Sequence, residues 1–588
     1  MKAVYITGDK AVLNQQENTM EEYRWAIAAH NGERVRELQE SASITRPTAL
    51  VLATRGIGPA EAPDFLNPSL SNLVDPYELP GCEEAAARLW KAVRDGESIL
   101  IHGDYDADGI TAAVLVSKIL SRNGAKVEAF LPHRIDDGYG LTAESIDKAC
   151  TEKHSLLITV DCGITSYEAV EAARKQGIDV IITDHHEPGD REPVATAVID
   201  PKLPGSHPRV KELAGVGVAF KLCHAFIKYG RQHRLGGFDT DLKEVLDLVA
   251  LGTVADIVPL LDENRCLAKF GLQVLSRQHR PGIRALCELV GLNEAIRSTD
   301  IAYRIAPRLN APGRMGDPML SLHLLEAESM GEAVPLARAL DNENKKRQQL
   351  EAETFERAEE QIRQNCNLAE DRAIVVWGDN WHQGVLGIVA ARLTRRHHRP
   401  CIVLTRDNNG LLSGSGRSVT GVNLVDVLER SQEYLDRFGG HPMAAGLSLE
   451  PEYAGDFSKA FIANVRDVLS EEAMRPELEI CGEISFRDVD EVFLEELHML
   501  EPFGQGNPQP VFFTRGVTAE RLLPAGTNHT RGALRDANGN FIDFIAFGRT
   551  PDTFPPPPWD VAHIPKMNTY GGRRTPQIQI LDVRSIFG

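Results

Sequence analysis

The chain has no excess of positive charge, no paired cysteines and no long apolar run. Its 588 residues carry 84 Asp and Glu against 64 Lys and Arg, a formal net charge of −20. That balance argues against indiscriminate coating of duplex DNA, which needs a broad basic surface. It leaves a nucleic-acid enzyme open, because bound metal neutralises acids and a local basic track guides a strand. Nine cysteines stand singly with no C-x-x-C pair, and an odd number fits no closed disulfide framework. No apolar stretch approaches the roughly 20 residues that span a bilayer. The opening MKAVYITGDKAVLNQQ lacks the basic, apolar and cleavage regions of a signal peptide. A reducing, cytoplasmic setting is the expectation.

What is present is the composition of a globular protein, 42% hydrophobic and 25% charged. The length suits three to four domains of roughly 100–200 residues. Residues 1–36 form an extension of unknown role, in which 20–30 suit a short helix. The stretch up to residue 80 reads as capped helices and turns packing on the domain that follows. Strands are predicted at 98–102, 126–130, 155–160, 179–183 and 196–199, with helices at 111–121, 142–151 and 166–175 between them. Such alternation implies a doubly wound parallel sheet, with ligands at the carboxyl ends of its strands. A further helix within 241–260 frays at Gly252 and leaves Asp256 at its end.

The chemistry starts where the first strand stops, in HGDYDADG. Carboxylates two apart in an extended segment project to one side, so Asp106 and Asp108 aim at one point. Crowded acids raise one another's pKa unless a cation sits among them. A solvated Asp-rich turn would carry the same letters. Two later strands run straight into Asp161-Cys162-Gly163 and Asp184-His185-His186. Together His102, Asp106, Asp108, Asp161, His185 and Asp256 offer imidazole and carboxylate ligands for a pair of Mn²⁺ or Mg²⁺ ions, the nitrogens favouring Mn²⁺. Two ions about 3.5–4 Å apart need a bridging carboxylate, and Asp161, at a strand end between the other groups, is the candidate. Asp184 reads equally as a structural acid orienting its neighbouring His.

Arginines that match phosphate geometry follow. In RLNAPGR, Arg308 and Arg314 flank a Pro-Gly turn with Asn310 between them, and Arg134 follows a strand; surface arginines would look the same. Residues 336–365 make one polar helix with i,i+4 pairs Glu343/Arg347, Glu353/Arg357 and Glu359/Arg363, a solvated connector. A second α/β unit, 366–470, contains two Gly-rich turns. LLSGSGRS carries Ser415 and Arg417, FGGHPMAAG carries His441, and such turns cradle anions with backbone amides. From 471 on, period-two alternation in PELEICGEIS, VFFTRGVTAERL, FIDFIAF, DVAHIPKM and PQIQILDV suits a five-stranded OB-type barrel. Its Phe503, Phe512, Phe513, Arg515, Tyr570, Arg573 and Arg574 serve either a core or the stacking of bases.

Ten phrases in this order, HGDYDADG, LPHRIDDGYGL, VDCG, TDHH, GTVADIVPL, RIAPRLNAPGR, WHQGVLGIVAARL, SGSGRS, GGHPMAAG and EPFGQGNPQP, resemble the DHH phosphoesterase superfamily and its single-strand-specific exonuclease branch. The resemblance implies a parallel-sheet DHH domain (37–335), a connecting helix (336–365), a smaller DHH-associated domain (366–470) and an OB-fold barrel (471–588). It implies one metal on His102, Asp106 and Asp161, and a second on Asp108, Asp161, His185 and Asp256. His186 would face the scissile phosphate and Asp104 would stand outside the ligands. Arg134, Arg314, Ser415 and Arg417 would hold a 5′-terminal phosphate, with Arg308, Asn310 and His441 beside the substrate. The implied activity is 5′→3′ hydrolysis of single-stranded DNA to mononucleotides, with single-strand-binding protein and a recombination helicase as partners. A DHH phosphodiesterase acting on short oligoribonucleotides, cyclic dinucleotides or pyrophosphate is the alternative, but such enzymes lack the barrel. A non-catalytic replication scaffold is another, but such relatives lose ligands that are all present here.

Overall fold

The computed structural model describes residues 23–132, 140–407, 409–569 and 574–587. It contains two compact units. Of the described residues, one holds 27–341 and 479–587, the other 23–26 and Asn342–Leu478. The short helix predicted at 20–30 is replaced, within the described residues, by a strand, β1 (Arg24–Ile27). Its partner is a strand far along the chain, which takes up backbone groups that a helix of four residues would leave unpaired. Among the described residues no helix is long and apolar enough to cross a membrane.

The first unit is built on a parallel sheet. Its strands are β2 (Ser98–Gly103), β3 (Lys126–Phe130), β4 (Leu156–Val160), β5 (Asp179–Thr183) and β6 (Ala197–Ile199), in the order β3-β2-β4-β5-β6. Ile99, Leu100, Ile101, Leu156, Leu157 and Ile158 are all wholly buried, which is why these strands read as continuous apolar runs rather than alternating ones. The order reverses between β2 and β4, and at such a point the strand ends open a crevice. Helices Ala107–Arg122, Gly215–Gln232 and Leu246–Ala255 contribute to the largest apolar core.

The connecting helix starts earlier than predicted and is less solvated. It runs from Met330 to Asn365 and passes from one unit into the other. Leu340 is buried in the first unit's core, while Phe355, Ala358 and Ile362 are buried in the second's. Of the expected charge pairs, Glu359–Arg363 is present at 4.0 Å. Arg347 instead pairs with Glu351 at 2.7 Å, and Lys346 with Glu343 at 2.6 Å.

The second unit carries β7 (Ile374–Gly378), β8 (Cys401–Arg406), β9 (Leu412–Arg417), β10 (Arg437–His441) and β11 (Ala444–Leu449), ordered β10-β11-β9-β8-β7. SGSGRS is therefore strand β9 rather than a turn, and FGGHPMAAG is the hairpin β10–β11. Glycine there allows close approach: a Cβ on Gly414 would meet Val403 O and lie 2.8 Å from Leu404 Cα on β8.

PELEI contributes β12 (Glu477–Ile480), which pairs with β1 and stands outside the barrel. The closed barrel is β13 (Phe512–Ala525), β14 (His529–Arg535), β15 (Phe541–Ala546), β16 (Trp559–Asn568) and β17 (Thr575–Ser585), ordered β13-β14-β15-β17-β16. β14, which the alternation missed, replaces PELEI as the fifth strand. Tyr570 and Arg573 lie outside the described residues. Helices Gly32–Ala42, Arg46–Thr54 and Ala62–Leu66 do not pack on the parallel sheet as expected. Leu38, Leu50, Leu52 and Leu66 share a core with Phe493, Phe512 and Phe544 of the barrel region. Arg265 joins that assembly to the metal domain. Its guanidinium donates to Phe65 O, Leu500 O and Met499 O at 3.1, 2.8 and 2.7 Å, and burial pushes its pKa down to about 9.

Candidate metal centre

Three adjacent strand ends supply the centre. β2 ends at Gly103 and runs into Asp104–Asp108, β4 ends at Val160 before Asp161, and β5 ends at Thr183 before Asp184-His185-His186. Asp106 caps the helix Ala107–Arg122, its Oδ1 accepting from Asp108 N at 2.9 Å and Gly109 N at 3.3 Å. Asp108 therefore lies inside a helical turn, not in an extended segment. Its carboxylate caps a second helix, accepting from Gly215 N at 2.7 Å and Val216 N at 2.9 Å, where Ala214 has no side chain to do so. Positive φ at Asp161 (64°), tolerated by Asp more than by most residues, turns its carboxylate in from the strand end. The helix Leu246–Ala255 does not fray at Gly252. It ends at Asp256, whose N–H bonds Gly252 O at 2.9 Å.

Around these strand ends three groups of side chains each bring ligand atoms within 4.8 Å of one another: Asp104, Asp106 and Asp161; Asp108, His185 and Asp256; Asp161, His185 and His186. Asp161 is common to two of them. His185 Nε2 stands 3.1 Å from Asp161 Oδ1 and 3.7 Å from Asp256 Oδ2, yet among the described residues neither Nε2 nor Asp161 Oδ1 has a hydrogen-bond partner. Two buried polar atoms facing each other without a bond are what a shared cation would satisfy. Burial, then the charges of Asp108 and Asp106, push the Asp161 carboxyl well above the carboxylate range. Burial and Asp106 raise Asp108 to about 7, and burial with Asp108, Asp106 and Asp104 raises Asp256 to about 9. Burial and His186 lower His185 to about 3, so its imidazole is neutral and able to ligate. The donor set fits two divalent cations.

His102 is not drawn into these groups. Its Nε2 lies 3.2 Å from Gly140 O and its Nδ1 2.7 Å from Ser145 Oγ. Asp104, placed outside the ligands by the resemblance, occupies the corresponding place beside Asp106 and Asp161. Asp184 Oδ1 accepts from His186 Nδ1 at 2.7 Å and Oδ2 from Ile164 N at 2.9 Å, tying the two strand-end loops together. Burial opposes a charge on His186, but that bond and the charges of Asp184, Asp104 and Asp108 raise its pKa overall.

RLNAPGR is no turn. It lies in a helix, Ala306–Met315, with Pro312 inside. Asn310 Oδ1 accepts from Ala107 N at 2.7 Å, and a Cβ on Gly313 would lie 2.5 Å from Tyr105 O, so this helix braces the Asp104–Asp108 loop. Arg308 is paired with Asp341 at 2.9 Å, and Arg314 is half-buried in the last turn. Arg134 lies outside the described residues. In the second unit, Arg417 donates to Ser415 Oγ at 2.7 Å, beside Gly387. Arg417, Ala444 and His441 stand opposite one another across β9, β11 and β10, which puts Arg417 and His441 in one row. Sequence reasoning missed the amides of Gly215 and Val216 and the bare Cα of Gly252; the closely spaced glycines of GVGVAF were the available sign.

Models of three families match the chain: the DHH family N-terminal domain over 98–253, the DHHA1 domain over 370–467 and the RecJ OB domain over 480–582. The single-stranded-DNA-specific exonuclease RecJ of Bacillus subtilis is 37% identical over 568 residues, which cover 95% of this chain and 70% of that protein. The chain belongs to the RecJ family. Crystal structures of RecJ from Thermus thermophilus in complex with Mn²⁺ and with Mg²⁺ superpose with TM-scores of 0.82 and 0.75, at 31% and 29% identity. Each alignment covers 96% of this chain, and 80% and 78% of those chains. The RecJ membership and the two metal-bound structures accord with a site of clustered, buried acids.

The raised carboxyls make a prediction. A carboxyl whose folded pKa lies above its ordinary 3.8 contributes stability that is full below that value and lost as pH climbs through about 7 (Asp108) and about 9 (Asp256). In EDTA the melting temperature therefore falls from pH 5 to pH 9, while Mn²⁺ flattens the slope. Scanning calorimetry across that range checks it, and a metal-free melting temperature rising with pH would contradict the raised values.

Proposed function

We propose that this chain is a metal-dependent phosphodiesterase that degrades single-stranded DNA from its 5′ end to mononucleotides. The observation that carries the reading is the convergence of five carboxylates and His185 at three strand ends and a helix end, with Asp161 shared between groups. Asp104, Asp106 and Asp161 would hold one cation, and Asp108, His185 and Asp256 the other, with Asp161 shared between the two. Divalent ions so bound supply activation of water near neutral pH and neutralise charge gathering on the phosphate. His186, oriented by Asp184, offers its Nε2–H to a phosphate oxygen. Ser415 and Arg417 would grip a phosphate in the smaller domain. Single-strand-binding protein and a recombination helicase are the partners this reading brings. A reducing cytoplasm is the proposed setting, in keeping with nine free cysteines.

The test is a time course with Mn²⁺ on a 5′-phosphorylated strand labelled at either end, beside a matched duplex, an RNA strand and a cyclic dinucleotide. Mononucleotides released from the 5′ end of the DNA strand alone are expected. Cleavage of the cyclic dinucleotide instead would point to the other phosphodiesterase chemistry. Deleting the barrel is a poor control, since it would bare the core shared with the N-terminal helices. Point changes serve better. Phe541 on β15 is 60% exposed, with the Arg535 guanidinium 5.0 Å from its ring centre, an aromatic and a cation placed for a base and its phosphate. Replacing both by Ala should weaken binding of long strands about 10-fold in fluorescence anisotropy, with turnover of very short strands unchanged.

A further inference from the structure

Ile257 follows Asp256 directly, and its backbone has a φ of 65°. A β-branched residue at positive φ is a genuine outlier, because its Cβ crowds a neighbouring carbonyl. The position is the first past the C-cap Asp256, where glycine or asparagine is the usual occupant. Burial does not compensate for the strain, since Ile257 is 69% exposed. Strain of this kind persists only where the surroundings over-determine it. On one side the chain is held by Asp256 N–H on Gly252 O, and on the other by Leu260 N donating to Gln505 O at 2.8 Å. Behind it lies the loop of EPFGQGNPQP. A Cβ on Gly504 would be 2.7 Å from Leu260 Cδ1, and one on Gly506 would be 3.1 Å from Pro259 Cβ. Asn507 Nδ2 fixes that loop by donating to Leu500 O and Pro502 O at 2.9 and 2.7 Å. The phrase that the sequence left without a role thus clamps the far end of the strained turn.

An isoleucine kept strained and facing solvent beside the metal-binding acids is placed for an apolar contact with what those acids process. A phosphate held at Asp108, His185 and Asp256 brings its own nucleoside within one nucleotide's length. We propose that Ile257 packs against the nucleobase of the nucleotide being released, and so sets how tightly a terminal nucleotide is seated. The inference rests on the nuclease reading above.

The test compares the wild-type chain with Ile257→Gly and Ile257→Asn, both of which suit the positive φ and keep the fold, as melting temperatures will show. Each acts on a 5′-phosphorylated strand and on the same strand with an abasic first nucleotide. Expected for wild type is a lower KM on the intact strand. Both variants should raise that KM about 5- to 20-fold, hold kcat within about twofold, and erase the preference for a base. Fluorescence anisotropy without added metal should show the same loss of preference free of turnover. Variants that keep the wild-type KM and preference would overturn the proposal. So would a fall in kcat at unchanged KM, which would mean that the strain serves only to aim Asp256. A wild-type chain inert on every strand would overturn the nuclease reading itself, and this inference with it.

Discussion

Asp161→Asn should lose hydrolysis by on the order of 10³-fold or more, about 4 kcal/mol of transition-state stabilisation, while single-strand binding stays within about twofold. Asp161 is the one carboxylate that lies both with Asp104 and Asp106 and beside His185. Losing it should affect both cations, whereas losing a ligand of one group should affect one. Asparagine keeps the volume and removes the charge. The metal-free variant should therefore melt higher than the wild type, because the charge removed is one that burial, Asp108 and Asp106 all disfavour. The rise in melting temperature on adding Mn²⁺ should shrink in parallel, since stabilisation by a ligand scales with its affinity for the folded state. Calorimetry with and without Mn²⁺, beside the end-labelled time course, reads all three. Mn²⁺-dependent activity within tenfold of wild type would end the bridging role.

Gly215→Ala and Gly252→Ala should each cost about 10²-fold in activity at limiting Mn²⁺, although neither glycine can ligate anything. A Cβ on Gly215 would lie 2.6 Å from Cβ and Cγ of Asp161, and one on Gly252 would meet Thr111 Oγ1 and lie 2.6 Å from Asp108 Oδ1 and 2.8 Å from Val216 Cγ1. All four side chains are buried, and Val216 N–H and the Thr111 hydroxyl's bond to Asp108 O hold two of those ends in place. Either the helix retreats or the carboxylate leaves its place, at about 1–3 kcal/mol for the overpacking. Gly215 would suffer twice, because its N–H also holds Asp108. Gly455→Ala is the control, since a Cβ there meets nothing within 4 Å. Metal titrations followed by activity and by melting temperature separate weakened binding from unfolding. Unchanged Mn²⁺ dependence in Gly215→Ala would show that Asp161 has room the structure denies it.

Local periodicity carried much of the fold. β3 and β5 begin and end at the predicted residues, and β2, β4 and β6 within one; the central strands β2, β4 and β5 are legible because they are buried and almost wholly apolar. It failed where a residue's local preference is overruled by distant partners. Glycine and serine in SGSGRS favour a turn, but β8 and β11 pair with the segment from either side and make it a strand. Pro312 and Gly313 favour a break, yet packing of Gly313 on Tyr105 and the bond from Ala107 N to Asn310 keep the segment helical. In PELEI a barrel-like alternation was taken up by β1, more than 400 residues away.

The sequence by itself determined the kind of chemistry: acids and imidazoles placed at strand ends, in an order that names their family. Only the tertiary structure decided which of them meet. His102 and Asp104 are two residues apart, and the resemblance makes the first a ligand and leaves the second outside. In the fold the His102 ring lies against Gly140 O and Ser145 Oγ, while Asp104 groups with Asp106 and with Asp161 at the end of the neighbouring strand. A donor's type is written in its own letter, but the direction of its lone pair depends on partners that only folding brings near.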